Sequence, residues 1–287
     1  MAELVTYETE GRVAIVTLNR PEARNAVDPG MDVRLREIWS SFAGDDTVDV
    51  AIWTGAGEAF CAGADRNTWF AQWVGATAAD VRRNAGGLGF GGLTRGLHRM
   101  AKPVIAAVNG WALGGGLELA LACDIRIASD RARFGSPLVG LGFHHGDGGI
   151  SRLVDICGLG VALDLELTGQ IIDAQQALYW GLVTRVVSHD QLMTDARAVA
   201  EQIVGFDQSA IRSAKRTTLD VIGHRLDDQL EREAVAAYSL DTDAGALVDR
   251  VRISGNARSG GPQPKINAEP RPEPRDGPTD NAGGCNV

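Results

Sequence analysis

The fold is decided by the stretch Trp111-Ala112-Leu113-Gly114-Gly115-Gly116-Leu117-Glu118-Leu119-Ala120, which follows the apolar run 103–108 and the turn pair Asn109-Gly110. Glycines have no Cβ, so three in a row let backbone N–H groups approach a ligand closely. A helix that begins after them adds unpaired first-turn donors and the positive end of its dipole. We therefore predict a backbone cradle for an oxygen that gains negative charge, with Glu118 beside it in the first helical turn.

Composition narrows the class of protein. The chain has 287 residues, of which 44% are hydrophobic, and this predicts one globular domain with a smaller appendage. A net charge of -9 argues against a nucleic-acid partner. Neither a secretory leader nor an apolar run long enough to span a membrane is visible in the sequence, so we expect neither feature. The four cysteines have neither metal-ligand nor disulfide spacing, so we expect no metal site and a cytoplasmic location.

Strand and helix patterns alternate along the chain, and this predicts an α/β layered fold. Strands are expected at 11–18, 48–55, 103–108, 124–128 and 132–135, with a short extended piece at 183–187. A helix is expected to begin at Asp28-Pro29, a glycine-punctuated loop to cover 55–63, and helical structure to resume at 93–100 and beyond 158.

The last part of the chain differs in composition. Six of the ten prolines lie between Pro262 and Pro278, among glycine and charged residues. Too few apolar side chains are present there to offset the entropy of ordering. We predict a core domain over 1–203, a helical C-terminal section over 204–256, and a disordered or extended tail over 257–287.

Five sequence pieces, taken in this order, resemble the crotonase superfamily, that is, the enoyl-CoA hydratase/isomerase family. They are Leu18-Asn19-Arg20-Pro21-Glu22, Phe60-Cys61-Ala62-Gly63-Ala64-Asp65, the run 102–110, the triple glycine with Glu118, and Leu167-Thr168-Gly169. The resemblance implies a spiral of ββα repeats with a helical C-terminal section, assembled as trimers or dimers of trimers. It also implies an acyl-CoA thioester substrate and no cofactor, because enolate chemistry needs only charge stabilisation and proton transfer.

The resemblance also implies site residues. The backbone N–H groups of Ala64 and Gly115 would hold the thioester oxygen in an oxyanion hole. Glu118 matches one of two family carboxylates that activate water, although a glutamate stabilised by the helix dipole is the alternative. Substrate or CoA contacts are expected from Ala62, Asp65, Gly114, Leu138 and Arg24. Of these, Ala62 would lie near the adenine, and Arg24 would meet the CoA phosphates or be a surface charge.

The second family glutamate is absent. Its position, after a Phe-Gly pair and a proline, is taken by Leu138 in Phe134-Gly135-Ser136-Pro137-Leu138. Leucine transfers no proton, and reversible hydration usually divides base and acid work between two groups. Ordinary hydration therefore does not follow from the resemblance alone.

A replacement is expected nine residues later, in the loop Gly142-Phe143-His144-His145-Gly146-Asp147. Relatives that isomerise dienes carry an acid in this region, and relatives that hydrolyse β-diketones use a His–Asp pair to activate water. We predict His144, His145 and Asp147 as catalytic candidates. The alternatives are solvated loop histidines and an aspartate that caps the following helix.

These observations favour a lyase or isomerase that acts on an acyl-CoA thioester through an oxyanion-stabilised enolate. The first alternative is a hydrolase that cleaves a C–C bond of a β-diketone, with water activated by a loop histidine and Asp147. The second is a CoA-ester binding protein without catalysis, motivated by Leu138.

Overall fold

The computed structural model describes residues 3–73, 77, 89–96 and 99–240, and its strands form two sheets. The strands are β1 (Val5–Glu10), β2 (Val13–Leu18), β3 (Val50–Gly55), β4 (Ala59–Cys61), β5 (Val104–Val108), β6 (Trp111–Leu113), β7 (Ile125–Ser129), β8 (Arg133–Gly135), β9 (Ile171–Asp173) and β10 (Arg185–Val187). The larger sheet has the order β1-β2-β3-β5-β7-β10, and the smaller has β4-β6-β8-β9. Only the pairs β1·β2 and β8·β9 are antiparallel among these strands.

From β3 to β8, successive strands alternate between the two sheets. β3, β5 and β7 lie in the larger sheet, and each is followed after a short turn by β4, β6 or β8 in the smaller sheet. A helix then returns the chain to the next pair, so the repeated unit is ββα. This arrangement confirms the predicted α/β class and its repeat.

Nine α-helices are present in the described ranges. They are α1 (Pro29–Gly44), α2 (Arg66–Trp73), α3 (Gly115–Ala122), α4 (Gly149–Cys157), α5 (Leu159–Thr168), α6 (Ala174–Tyr179), α7 (Leu192–Val204), α8 (Gln208–Asp220) and α9 (Leu226–Tyr238). α1 begins as predicted, because the Asp28 side chain accepts a hydrogen bond from the Met31 N–H at 2.8 Å and Pro29 takes the first helical position. Within the described ranges, no helix combines the length and apolarity that crossing a membrane requires.

The larger sheet is buried on both faces, as expected for parallel strands covered by helices. On β3, Ala51 and Trp53 belong to one buried cluster, whereas Ile52 faces a second cluster that includes Ala196 of α7. In the first cluster, the Trp53 ring meets that of Trp39 of α1 edge to face, with centroids 5.0 Å apart. The sheet therefore provides a rigid base for the loops at its strand ends.

The start of α3 packs directly against β4. A Cβ on Gly116 would overlap the backbone carbonyl of Cys61, so only glycine permits this approach. The contact brings the loop after β4 beside the glycines that precede α3.

Three local predictions need correction. β4 lies inside the predicted loop 55–63, because its three residues are set by pairing with the distant β6. β1 was not predicted, although it pairs with β2 along its whole length. Leu93–Gly96 forms turns, with the Gly96 N–H donating to the Leu93 carbonyl at 3.0 Å, where helical structure was expected.

Two further predictions are left untested. Residues up to Asp241 form one compact unit, and the division at 203/204 stays a prediction. The end of the C-terminal section from 241 and the tail 257–287 lie outside the described residues.

We expect Gly116→Ala to destabilise the fold by about 1–3 kcal/mol, because the new methyl group must displace the Cys61 carbonyl. Gly160→Ala is the matched control, since Gly160 lies in α5 and a Cβ there meets no atom within 4 Å. That variant should gain roughly 0.4–1 kcal/mol by restricting the unfolded chain. Urea unfolding measures both values, and equal changes in the two variants would contradict the close approach of α3.

Candidate active site

The loop after β4 and the glycines at the start of α3 converge on one point. Gly63 has a φ of +97°, and a Cβ there would lie 2.9 Å from the Leu113 carbonyl oxygen and 3.1 Å from the Gly115 nitrogen. The loop is fixed from behind by Val27, whose N–H donates to the Gly63 carbonyl at 2.8 Å. Gly63, which directly precedes Ala64, therefore lies close to Gly115, and the predicted oxyanion hole formed by Ala64 and Gly115 stays a prediction.

The amides of Ala64 and Gly115 are available to a ligand. Within the described part of the chain, neither N–H donates a hydrogen bond to a backbone carbonyl. Gly115 is the first residue of α3, and first-turn N–H groups have no partner inside their own helix. The two amides can therefore serve as donors to an oxygen that gains charge.

Glu118 lies in the first turn of α3 and is 5% exposed. Its Oε1 accepts hydrogen bonds from the Asp147 N–H at 2.7 Å and the Gly149 N–H at 3.2 Å. Burial raises the pKa of Glu118, but the contacts with His145 and with these two amides lower it by more. The pKa of Glu118 is therefore below its usual value. The side chain is therefore held as a carboxylate.

Asp147 has the opposite electrostatic setting. Burial and the nearby charge of Glu118 raise the pKa of Asp147, although Arg95 opposes this with an ion pair of 2.7 Å between Nε and Oδ1. The helix-capping alternative is wrong, since Gly148 is the N-cap residue of α4 and no side chain caps that helix. The raised pKa means that Asp147 takes up a proton more readily than an exposed aspartate does.

His145 is not paired with Asp147. Its side chain is fully buried, with Nδ1 lying 3.3 Å from Glu118 Oε1 and Nε2 lying 3.4 Å from Glu166 Oε1. The predicted role of His145 as a water-activating partner of Asp147 is therefore corrected, because the two side chains face different groups. His144 is exposed, with its ring stacked on Phe143 and its Nδ1 2.7 Å from the His145 carbonyl oxygen.

Sequence reasoning missed Glu166. It lies on α5 and is 7% exposed, which is unusual for a glutamate. The available signal was an acidic residue between Leu165 and Leu167 in the apolar helix Leu-Gly-Val-Ala-Leu-Asp-Leu-Glu-Leu-Thr. That pattern alone could not identify His145 as its neighbour, because the contact joins two separate elements.

Leu138 lies at the edge of the cradle. Its Cδ2 would be 3.1 Å from a Cβ on Gly114, so the leucine side chain packs against the backbone of the glycine stretch. The position matched to the second family carboxylate thus presents an apolar surface to the site.

The other predicted substrate contacts have different surroundings. Asp65 is 7% exposed, and its carboxylate pairs with Arg20 at 2.6 Å and accepts the Asn67 N–H at 2.9 Å. The hydrogen bond from Arg20 lowers the pKa of Asp65, so this side chain holds the loop and the start of α2. Arg24 is exposed, and its carbonyl accepts the N–H of the half-buried Ala62 at 3.0 Å.

Known proteins resemble this chain in sequence and in fold. The enoyl-CoA hydratase/isomerase family model matches residues 8–244. The short-chain-enoyl-CoA hydratase of Clostridium acetobutylicum is 44% identical over 219 residues, covering 74% of this chain and 79% of that protein. The crotonyl-CoA hydratase of Syntrophomonas wolfei is 38% identical over 246 residues, covering 85% and 89% respectively.

Solved structures agree. The crystal structure of an enoyl-CoA hydratase from Bacillus anthracis has a TM-score of 0.78 at 32% identity, covering 88% of this chain and 97% of that chain. An enoyl-CoA hydratase subunit from Geobacillus kaustophilus also has a TM-score of 0.78, at 31% identity, covering 91% and 97%. The predicted crotonase fold is confirmed, and the chain belongs to the enoyl-CoA hydratase/isomerase family as an enzyme of the lyase or isomerase type.

Proposed function

We propose that this enzyme adds water across the double bond of a 2-enoyl-CoA thioester. The observation that carries the proposal is the convergence of the Ala64 and Gly115 amides beside a buried carboxylate, Glu118. An acyl oxygen bound between these amides gains charge as the thioester becomes an enolate. Donors already fixed in place stabilise that charge without reorganisation, and each contributes about 2.7–4 kcal/mol.

Two carboxyl groups divide the proton transfers. Glu118, with its lowered pKa, removes a proton from water, and the hydroxyl adds to the β carbon. Asp147, with its raised pKa, gives a proton to the α carbon. Neighbouring carboxyl groups whose pKa values are pushed apart are a common basis for acid and base roles. In this scheme Asp147 supplies the acid that Leu138 cannot.

Double-bond isomerisation is the second candidate. Leu138 favours it, because moving a proton between two carbons of an enolate requires no water and only one carboxylate beside the oxyanion hole. The two reactions differ in product mass, since hydration adds water and isomerisation does not.

We extend the proposal to the remaining contacts and the assembly. Arg24 and Ala62 would contact the CoA portion, Gly114 and Leu138 the acyl portion, and Asp65 would support the loop between them. A trimer or dimer of trimers is supported by the apolar stripe Leu159, Leu163 and Leu167 on α5, which are 62%, 47% and 73% exposed. A cytoplasmic location and a reaction without cofactor belong to the same proposal.

Glu118→Gln should lower the rate of crotonyl-CoA hydration by roughly 10²–10⁴-fold, because it removes the proton acceptor and keeps the shape. Mass spectrometry follows the gain of water, with a 3-enoyl-CoA ester assayed in parallel for isomerisation. Glu201→Gln, at an exposed position on α7, is the matched control and should leave the rate unchanged. Full turnover by Glu118→Gln with both substrates would refute the assignment of the base.

Gly63→Ala should reduce kcat/KM by about 10²–10³-fold, because its methyl group would intrude beside the Gly115 nitrogen and disturb one oxyanion donor. Gly57→Ala introduces the same backbone strain elsewhere, at a φ of +75°. Both variants should lose stability, but only Gly63→Ala should lose activity. Steady-state kinetics and thermal unfolding separate the two effects, and equal activity losses would contradict the oxyanion role.

The kcat/KM profile should fall on the alkaline side, because Asp147 donates a proton only while protonated and its pKa is raised. Arg95→Met should move this fall to higher pH, since Arg95 lowers the pKa of Asp147.

Asp147→Asn should lose roughly 10²–10⁴-fold in rate, and its residual activity should lack the alkaline fall. Asp155→Asn, exposed on α4, is the control. An unchanged profile in Asp147→Asn would exclude Asp147 as the acid.

A further inference from the structure

A buried imidazole separates two buried carboxylates behind the site. The His145 ring lies between Glu118 and Glu166, at 3.3 Å from Nδ1 to the first and 3.4 Å from Nε2 to the second. The three side chains are 0%, 7% and 10% exposed, respectively. Gly149 closes one side of the ring, because a Cβ there would overlap the imidazole. The arrangement is therefore fixed by packing from α3, α4 and α5.

Glu166 has no other partner in the described residues. Neither of its carboxylate oxygens accepts a hydrogen bond there, although both are buried. A buried carboxylate without a partner is strongly unfavourable, so the approach of His145 Nε2 is what makes this position tolerable. The two His145 contacts, at 3.3 Å and 3.4 Å, are close approaches and not hydrogen bonds, because neither imidazole nitrogen makes a hydrogen bond within the described residues.

The number of protons on the His145 imidazole decides how many of the two carboxylates it can donate to. An imidazole with one proton can donate to only one of the two carboxylates, whereas an imidazole with two protons donates to both. A ring that donates from Nε2 to Glu166 can therefore also donate from Nδ1 to Glu118 only when it carries both protons. The other charged groups around Glu118 are Asp147, with its partner Arg95, and Arg152.

We propose that Glu166 is a positioning residue that holds His145 against Glu118 and so fixes the orientation and charge of the carboxylate that transfers the proton. The proposal rests on the proposed function for the role of Glu118. The amides of Asp147 and Gly149 donate hydrogen bonds to Oε1 of Glu118, and His145 Nδ1 lies 3.3 Å from the same oxygen. The second oxygen, Oε2, takes part in none of these three contacts. Glu166 acts only through the imidazole and touches no substrate.

The test is Glu166→Gln, which keeps the size of the side chain and removes its charge. We expect kcat to fall roughly 10- to 100-fold with KM unchanged, because substrate contacts are intact. His145 then loses the charged partner that holds it near Glu118, and because the contact with His145 lowers the pKa of Glu118, the acidic limb of the rate profile should move to higher pH. Asp164→Asn removes a charge from the exposed face of the same helix and should change neither value.

A purely structural role for Glu166 predicts a different result. It would lower the unfolding temperature of Glu166→Gln while leaving kcat and the acidic limb as in the wild type. That outcome would overturn the proposal, as would equal kinetic changes in Asp164→Asn.

Nuclear magnetic resonance of the ¹⁵N-histidine protein supplies a readout that needs no substrate. A proton held on Nε2 between His145 and Glu166 should give a slowly exchanging imidazole N–H signal, assigned by its loss in His145→Gln and shifted in Glu166→Gln. Absence of this signal in the wild type would overturn the proposal even if Glu166→Gln failed to fold. The signal without turnover of any enoyl-CoA would support the side-chain arrangement and reject the proposed function.

Discussion

The contact between α3 and β4 is the constraint on which the site depends. The backbone of Gly116 lies against the Cys61 carbonyl, so the helix starts at a fixed distance from the neighbouring sheet. Two consequences follow from this single approach. The loop after β4 comes within reach of the first amide of α3, and the first-turn carboxylate Glu118 is buried behind them. An oxyanion cradle made of backbone atoms needs this precision, because its donors cannot rotate toward a ligand as side chains can.

The electrostatic surroundings shift the pKa values of two similar groups, Glu118 and Asp147, in opposite directions. Glu118 and Asp147 are both largely buried, and burial alone would raise the pKa of each. Glu118 receives two backbone N–H groups and an imidazole, whereas Asp147 experiences the charge of Glu118. The loop that carries Asp147 donates its own amide to Glu118, so one turn of chain both stabilises the base and positions the acid. The fold therefore separates the two pKa values with a single local structure.

Local sequence signals predicted the parts of the molecule that local physics determines. The cap at Asp28 and the first-turn position of Glu118 depend on residues a few positions apart, and the structure has them as predicted, although α3 begins at Gly115 and not after the third glycine. Contacts between distant segments could not be predicted in this way. β4 exists because β6 lies beside it, and Asp147 meets Arg95 across 52 positions of chain. The predicted pairing of His145 with Asp147 was wrong, because the imidazole faces Glu118 and Glu166, which are distant in sequence. Nearness in sequence did not determine which way the imidazole points.

Glu166 illustrates how a local conflict can indicate function. A glutamate on the buried side of an apolar helix opposes folding, and a leucine of similar volume would pack there at lower cost in desolvation. Sequences usually agree with their fold at each level, so a residue that conflicts with its surroundings needs a reason elsewhere. Here the conflict is resolved by the imidazole of His145, which in turn contacts Glu118. Leu138 is the complementary case, because an apolar side chain stands where the family resemblance implies a carboxylate. Among the described residues, the chain thus has a leucine at the edge of the cradle and a buried glutamate, Glu166, behind it. A charged group behind Glu118 can alter the protonation of Glu118 without contacting the substrate. A carboxyl group at the edge of the cradle cannot do so without contacting the substrate.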